Sequence, residues 1–263
     1  MPDRPNPSRR NQHPAPGAQR IDRGTHGRHN GGARKPRDAR KGRPPKPDTP
    51  SVHLADDIVK ELRATSRPGK AEILVKVFAE AAGAFAEEKL DEAVRLGEQA
   101  KHMALRSAAI RELLGIAYYR AGQWKEAARE LSAFRRLSGS TEQNPVIADC
   151  YRATGKPEKS LEITDEIDPR DADPAVVYEG AIVAAGALAD MKRLEEAVER
   201  VERLDLRPIT PEEHHLRAWY VLGDLLERRG RFTQAREWFE AVNSADPDLT
   251  DAGDRLNRLQ RSQ

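Results

Sequence analysis

From Trp219 to Pro247 the apolar positions recur at helical spacing, break once, and recur again. Trp219, Leu222, Gly223 and Leu226 stand at zero, three, four and seven residues from the tryptophan, which is one face of an α-helix. Gly230 interrupts the pattern as a left-handed helix stop does. Phe232, Ala235, Phe239 and Val242 then repeat the spacing, and Pro247 closes it. So short a break forces the two helices to run antiparallel. Gly223 and Ala235 are the expected points of closest approach, and Trp219, Leu222, Phe232 and Phe239 the large side chains beside them. Four such side chains do not offset the ordering entropy of a whole hairpin, so the hairpin requires neighbours.

Four earlier segments supply them. The first, 74–107, has Ala81 and Ala93 as its small residues, with Leu90 and Ala100. The second, 108–140, carries Leu114, Gly115, Tyr118, Gly122, Trp124, Ala127, Leu131 and Phe134. The third, 141–174, has Ile147, Ala148, Tyr151, Gly155, Ser160 and Ile167, with Pro157 in the first turn of its second helix, where a missing N–H costs nothing. The fourth, 178–211, is degenerate, with Ala185, Leu188, Leu194, Ala197, Val201 and Leu204. The hairpin of Trp219 to Pro247 is the fifth, 216–249. Second-helix small residues Ala93, Ala127, Ser160, Ala197 and Ala235 are 34, 33, 37 and 38 apart, so extra residues belong in the connections near Pro174 and Pro208. Thr210-Pro211-Glu212-Glu213 is expected to cap the fifth repeat's first helix. Leu54, Ile58 and Leu62 predict a short lid helix over 54–65, and Ala252, Leu256 and Leu259 a polar-backed closing helix over 250–260.

The spacing W-x2-L-G-x2-L, then G-x-F-x2-A-x3-F-x2-V and a proline, resembles the tetratricopeptide repeat, a helix–turn–helix unit of about 34 residues. Leu226 stands in place of the usual Tyr, and Val242 in place of a small residue. The fold class expected is all-α, a solenoid of about five such repeats. The resemblance implies a right-handed superhelix whose concave groove is lined by the first helix of each pair. It also implies which side chains face that groove: Phe78, Ala82 and Phe85 in the first repeat; Glu112, Ile116, Tyr119 and Arg120 in the second; Asp149 and Arg152 in the third; Ile182 and Gly186 in the fourth; Tyr220, Asp224 and Glu227 in the fifth. Some family members hold a peptide's carboxylates with Lys, Arg and Asn at such sites. Phe78 and Ala82 stand there instead, which favours an apolar peptide or helix. Contact of Phe78 and Phe85 with the lid helix is the alternative.

Charge divides the chain. Residues 1–50 carry 13 Lys or Arg against 4 Asp or Glu, a balance of +9, while 51–263 carry 32 against 39, a balance of −7. Ten Pro, six Gly and almost no large apolar side chain make 1–50 an expected disordered arm. Arg23, Arg28, Arg34, Lys35, Arg37, Arg40, Lys41 and Arg43 are its candidate polyanion-binding residues. No aromatic side chain interleaves them, so attraction to phosphate is what they offer. A solubilising extension and an arm folded onto the acidic body are the other readings of this segment.

Candidate chemistry is sparse. One cysteine, Cys150, excludes an intrachain disulfide, and its place beside Tyr151 reads as a small apolar filler. His214 and His215 point about 100° apart on a helix, lack the H-E-x-x-H spacing, and read as a solvated first turn. No phosphate-binding loop occurs, and no catalytic residue, metal site or cofactor is assigned. No apolar run reaches the roughly 18–20 residues of a membrane span. The basic N-terminus has no apolar segment after it, so it does not read as a secretory signal; an organellar transit peptide is the minor alternative, and the cytoplasm is expected. The expected role is therefore a non-enzymatic adaptor that holds a partner protein's peptide or helix in the groove. The rivals are an RNA- or ribosome-associated factor acting through residues 1–50, and self-association through the solenoid ends.

Overall fold

Five helical hairpins, each closed by the same turn, follow one another along the chain. The computed structural model describes residues 52–261. The pairs are α2 (Ala71–Ala86) with α3 (Leu90–Met103), α4 (Ala108–Arg120) with α5 (Trp124–Ser138), α6 (Asn144–Ala153) with α7 (Pro157–Asp165), α8 (Pro174–Asp190) with α9 (Leu194–Glu202), and α10 (Glu213–Arg228) with α11 (Phe232–Ala245). A leading helix α1 (Asp56–Thr65) precedes them and α12 (Ala252–Arg261) follows. No strand occurs among the described residues. The basic residues Arg23, Arg28, Arg34, Lys35, Arg37, Arg40, Lys41 and Arg43 lie outside them, as does the expectation of a disordered arm.

Each hairpin turn is a Schellman motif. The N–H of Lys89, Gln123, Lys156, Arg193 and Arg231 donates to the carbonyl five residues back (Ala84, Tyr118, Tyr151, Leu188 and Leu226), at 2.9 Å every time. The residue before each donor must be left-handed. Gly122, Gly155 and Gly230 hold that place at φ 73°, 74° and 75°, but Glu88 and Lys192 hold it at 61° and 67°. A left-handed non-glycine residue costs about 1–2 kcal/mol, part of which glycine's larger unfolded-state entropy takes back. Glu88→Gly and Lys192→Gly are therefore each expected to stabilise the protein, by roughly 0.5–1 kcal/mol, and thermal melts will show a small rise in Tm for both.

Within pairs, small residues let the helices close. A Cβ on Gly115 would stand 2.5 Å from the Leu131 side chain, and one on Gly223 2.8 Å from the Phe239 ring. Ala148 and Ala185 hold the corresponding places, each fully buried. Facing them, Ala93, Ala127, Ser160, Ala197 and Ala235 are all buried to 1% exposure or less. Phe232 departs from expectation. At the first position of α11 it is 53% exposed, so Phe239, fully buried, fills the hairpin with Trp219 and Leu222.

The longer connections are 166–173 and 203–212. Pro174 does not lie in the first of them but opens α8, behind Asp173, whose carboxylate accepts the Ala175 N–H at 2.8 Å. Reading that repeat from 178 passed over an Asp-Pro pair at N-cap and first position. The α10 cap is also displaced. Thr210 and Pro211 stay in the connector, α10 starts at Glu213, and the Glu212 N–H donates to His215 Nδ1 at 3.0 Å.

Both ends are covered. Leu62 of α1 is fully buried in one cluster with Leu74, Val77, Phe78 and Ile110, and Leu54 and Ile58 pack against it. Glu61 adds a polar tie, its carboxylate accepting the Ala108 and Ala109 N–H groups at the start of α4, at 2.6 and 3.2 Å. A carboxylate is favoured there by the helix dipole. At the other end Ala252 and Leu259 of α12 are buried against the last pair, with Leu256 beside them, while Asp254, Asn257 and Arg258 stay exposed.

Candidate protein-binding face

The first helices α4, α6, α8 and α10 touch one another in succession. Their shared face is built from polar ties laid across an apolar floor. The Tyr119 hydroxyl of α4 donates to Asp149 Oδ2 of α6 at 2.7 Å, and Arg152, one turn on, donates to Asp149 Oδ1 at 2.9 Å. Arg152 also reaches Asp190 of α8 at 3.2 Å. Three consecutive first helices are thus joined by four side chains. Asp149 is buried with both oxygens engaged, which keeps its charge satisfied in a poorly solvated place. Burial and the adjacent Asp149 charge push the Tyr119 phenol well above its ordinary value, so it stays a donor.

Parallel ties flank this one. Gln143 donates to Glu112 Oε1 at 2.9 Å, and Arg217 of α10 to Glu179 Oε2 of α8 at 3.0 Å. Burial raises the carboxyl pKa of both Glu112 and Glu179, against the Gln143 hydrogen bond in one case and the Arg217 charge in the other. At the far end Arg255 of α12 donates to Asp224 at 2.8 Å and Glu227 at 2.6 Å. Its guanidinium lies 4.9 Å from the centre of the Phe239 ring, and Tyr220 donates to Asp251.

The structure therefore divides the expected groove residues. Tyr119, Asp149 and Arg152 come together in one network. Tyr220 and Asp224 form a second cluster, occupied by α12. Arg120 belongs to neither: its guanidinium sits 5.2 Å above the Phe85 ring and bonds Glu88 at 2.6 Å. Phe78 corrects the groove reading in favour of the lid-helix alternative: it is 6% exposed and packed in the cluster that holds Leu62, so it is core rather than face. Phe85 is half-buried against the same cluster. Ile116 and Ile182 are likewise half-buried. Packing does not demand the glycine at Gly186: the nearest atom to an added Cβ is Arg152 Cδ, at 3.4 Å.

Other candidates fall elsewhere. Cys150 is fully buried beside Leu114, Tyr118 and Ala127, and burial pushes its thiol up to about 12, so it stays protonated. His214 and His215 are not the expected solvated turn. The His214 side chain is 11% exposed and His215 8%, because the Tyr178 ring of α8 lies against both, 4.6 and 4.8 Å between ring centres. A tyrosine some 36 residues upstream gives no local signal; its place at the start of the degenerate repeat was the clue. Among the described residues no group of three or more His, Cys, Asp or Glu is placed to hold a metal ion. No helix among them is long and apolar enough to cross a membrane.

Five helical pairs stacked through their first helices define a helical-repeat protein, and the comparisons specify which kind. Residues 183–249 match the sequence model of the tetratricopeptide repeat. Two crystal structures of a Podosopora anserina protein with nearly identical TPR-like repeats, described as a kinesin light chain, share the fold. One superposes with a TM-score of 0.55 at 20% identity over 72% of this chain and 100% of that one. The other gives 0.53 at 20% identity over 65% and 94%. No curated protein sequence matches the chain. Residues 183–249 are thus similar to tetratricopeptide repeats, and all five hairpins share that helix–turn–helix fold. Repeats of this kind serve generally in protein–protein interaction.

Proposed function

We propose that the chain is a non-catalytic adaptor of the cytoplasm, and that the face shared by α2, α4, α6, α8 and α10 holds a segment of a partner protein. One observation carries this reading: the Tyr119–Asp149–Arg152–Asp190 chain fixes three successive first helices relative to one another, so the face is set before any partner arrives. Preorganisation of that kind cuts the ordering cost of binding. Affinity comes from the half-buried apolar side chains at the end nearest α1: Phe85, Ile116 and the ring of Tyr119. The tied charges beyond them set orientation and register, since ion pairs already satisfied within the protein add little to affinity.

Affinity purification with the full chain, followed by titration of the recovered partner, tests this. The Phe85→Ala, Tyr119→Ala double variant is expected to bind at least about tenfold more weakly, a loss of about 1.4 kcal/mol, with circular dichroism confirming its helices. Undiminished binding refutes the proposal. Repeating the titration with residues 52–263 separates the face from the basic segment. Retained affinity with little salt dependence is expected. Binding that vanishes with residues 1–51 and falls steeply with salt is the signature of polyanion attraction instead.

A further inference from the structure

The junction between the fourth and fifth pairs differs from the other three. It has the longest connector, 203–212, and it contains two neighbouring histidines under an aromatic lid. The connector is held by two hydrogen bonds from ring side chains. The Tyr178 hydroxyl donates to the Asp205 carbonyl at 2.6 Å, and Trp219 Nε1 to the Leu206 carbonyl at 3.0 Å. Tyr178 thus touches the connector with its hydroxyl and both imidazoles with its ring.

We propose that this junction is a proton-operated joint: when the His214–His215 pair takes up protons, the α10 cap opens and the 203–212 connector is released from Tyr178 and Trp219. The cap geometry requires it. His215 Nδ1 accepts the Glu212 backbone N–H, a group that only donates, so that nitrogen must carry its lone pair. A proton placed there turns the hydrogen bond into a clash of two donors. The rings of His214 and His215 are 4.1 Å apart, so two positive charges would stand together in a covered site at the positive end of the α10 dipole.

The surrounding charges do not cancel this. Glu212 approaches His214 Nδ1 to 3.9 Å but is 73% exposed, and Asp173 at the α8 N-cap acts from further off. Glu179 of α8 and Glu213 of α10 are engaged with Arg217, and the Asp205 carboxylate accepts the Arg207 N–H. Burial and the His215 charge outweigh Glu212 and Asp173, so the His214 pKa lies below its ordinary value. A depressed imidazole pKa means that the unfolded or opened chain binds the proton more tightly. Stability at this joint is complete above the ordinary histidine value and is lost as pH falls below it. Because the Glu179–Arg217 tie crosses the same junction, opening changes the first-helix face between α8 and α10.

Hydrogen exchange followed by mass spectrometry on the full chain tests the joint. After correction for the intrinsic pH dependence of exchange, protection in 203–216 is expected to fall severalfold between pH 7.5 and 5.5, as linkage to a lowered His214 pKa requires. The 166–173 connector, which contains no histidine, keeps its protection. A His214→Asn, His215→Asn variant offers an Asn oxygen to the Glu212 N–H, does not titrate, and is expected to hold 203–216 equally protected at both pH values. Unchanged protection in the wild type, an equal fall in both connectors, or an equal fall in a folded variant overturns the proposal. If the variant does not fold, the contrast between the two wild-type connectors decides alone.

Discussion

Replacing Glu130 with alanine will lower the stability of this protein by about 3 kcal/mol, the scale set by removing one partner of a buried ion pair. Glu130 is 1% exposed on α5. One oxygen accepts from Lys101 Nζ of α3 at 3.1 Å, and the other from Arg111 of α4. Lys101 continues to Glu98, which accepts the Tyr118 hydroxyl at 2.8 Å. Three helices from two successive pairs therefore meet on one carboxylate. Without it, Lys101 and Arg111, 12% and 17% exposed, keep their charges in a place water barely reaches. At roughly 2–4 °C per kcal/mol for a body of this size, Tm falls by some 6–12 °C. A triple variant, Glu130→Leu with Lys101→Met and Arg111→Met, should regain most of that, because an apolar replacement leaves no charge stranded. Burial alone would raise the Glu130 pKa, but the hydrogen bonds from Arg111 and Lys101 outweigh it and hold it below the ordinary 4.5. A depressed carboxyl stabilises the fold above its unfolded pKa and loses that contribution as pH falls through the folded value. The gap between wild type and Glu130→Ala is therefore expected to be level from pH 8 to 5 and to shrink in acid below about 4.5. A constant gap down to pH 3 would show that packing, and not charge, sets it.

Glu130 marks the limit of what the sequence displays. On α5 it is one more acidic residue of an amphipathic helix. Besides its exposed neighbour Arg129, its partners lie 29 and 19 residues away on two other helices, where no local periodicity points. The helices were legible because their signals are local: apolar spacing at three and four, a stop at Gly122, Gly155 and Gly230, and small residues at Gly115 and Gly223. Contacts between repeats were not. Spacing placed Tyr119, Asp149 and Arg152 on first-helix surfaces, yet said nothing of their joining into one network. Nor did it show that α12 takes up Tyr220 and Asp224, and it left open whether Phe78 faces the groove or packs with the lid helix, as it does. Phe232 misled for a related reason. It sits at the right step of the apolar pattern, but at the first position of α11, where it is left half exposed.

Alanine at three helix glycines is expected to give two losses and one gain, and the contrast isolates the close approach on which the hairpins depend. At Gly115 the new Cβ would lie 2.5 Å from two carbons of Leu131 and 3.2 Å from the Leu131 backbone nitrogen. Leu131 is fully buried, so its side chain has no free rotamer to take, and the α5 backbone blocks the remaining space. At Gly223 the Cβ meets three atoms of the Phe239 ring at 2.8–3.0 Å, and that ring is also fully buried, between Tyr220 and Arg255. In both hairpins the helices must move apart, which costs about 1–3 kcal/mol net of alanine's better helix propensity. Gly115→Ala is the worse of the two, because a backbone yields less readily than a ring. At Gly186 the nearest atom is Arg152 Cδ at 3.4 Å, an ordinary contact with a flexible side chain. There the propensity gain stands unopposed, and Gly186→Ala should stabilise by roughly 0.5–1 kcal/mol. Its Cβ nevertheless rises from the last two turns of α8 onto the face proposed to hold a partner. A variant that melts higher yet binds the recovered partner less well would separate packing from recognition at one atom. A rise in Tm for all three would mean that the paired helices are not pressed together at Gly115 and Gly223.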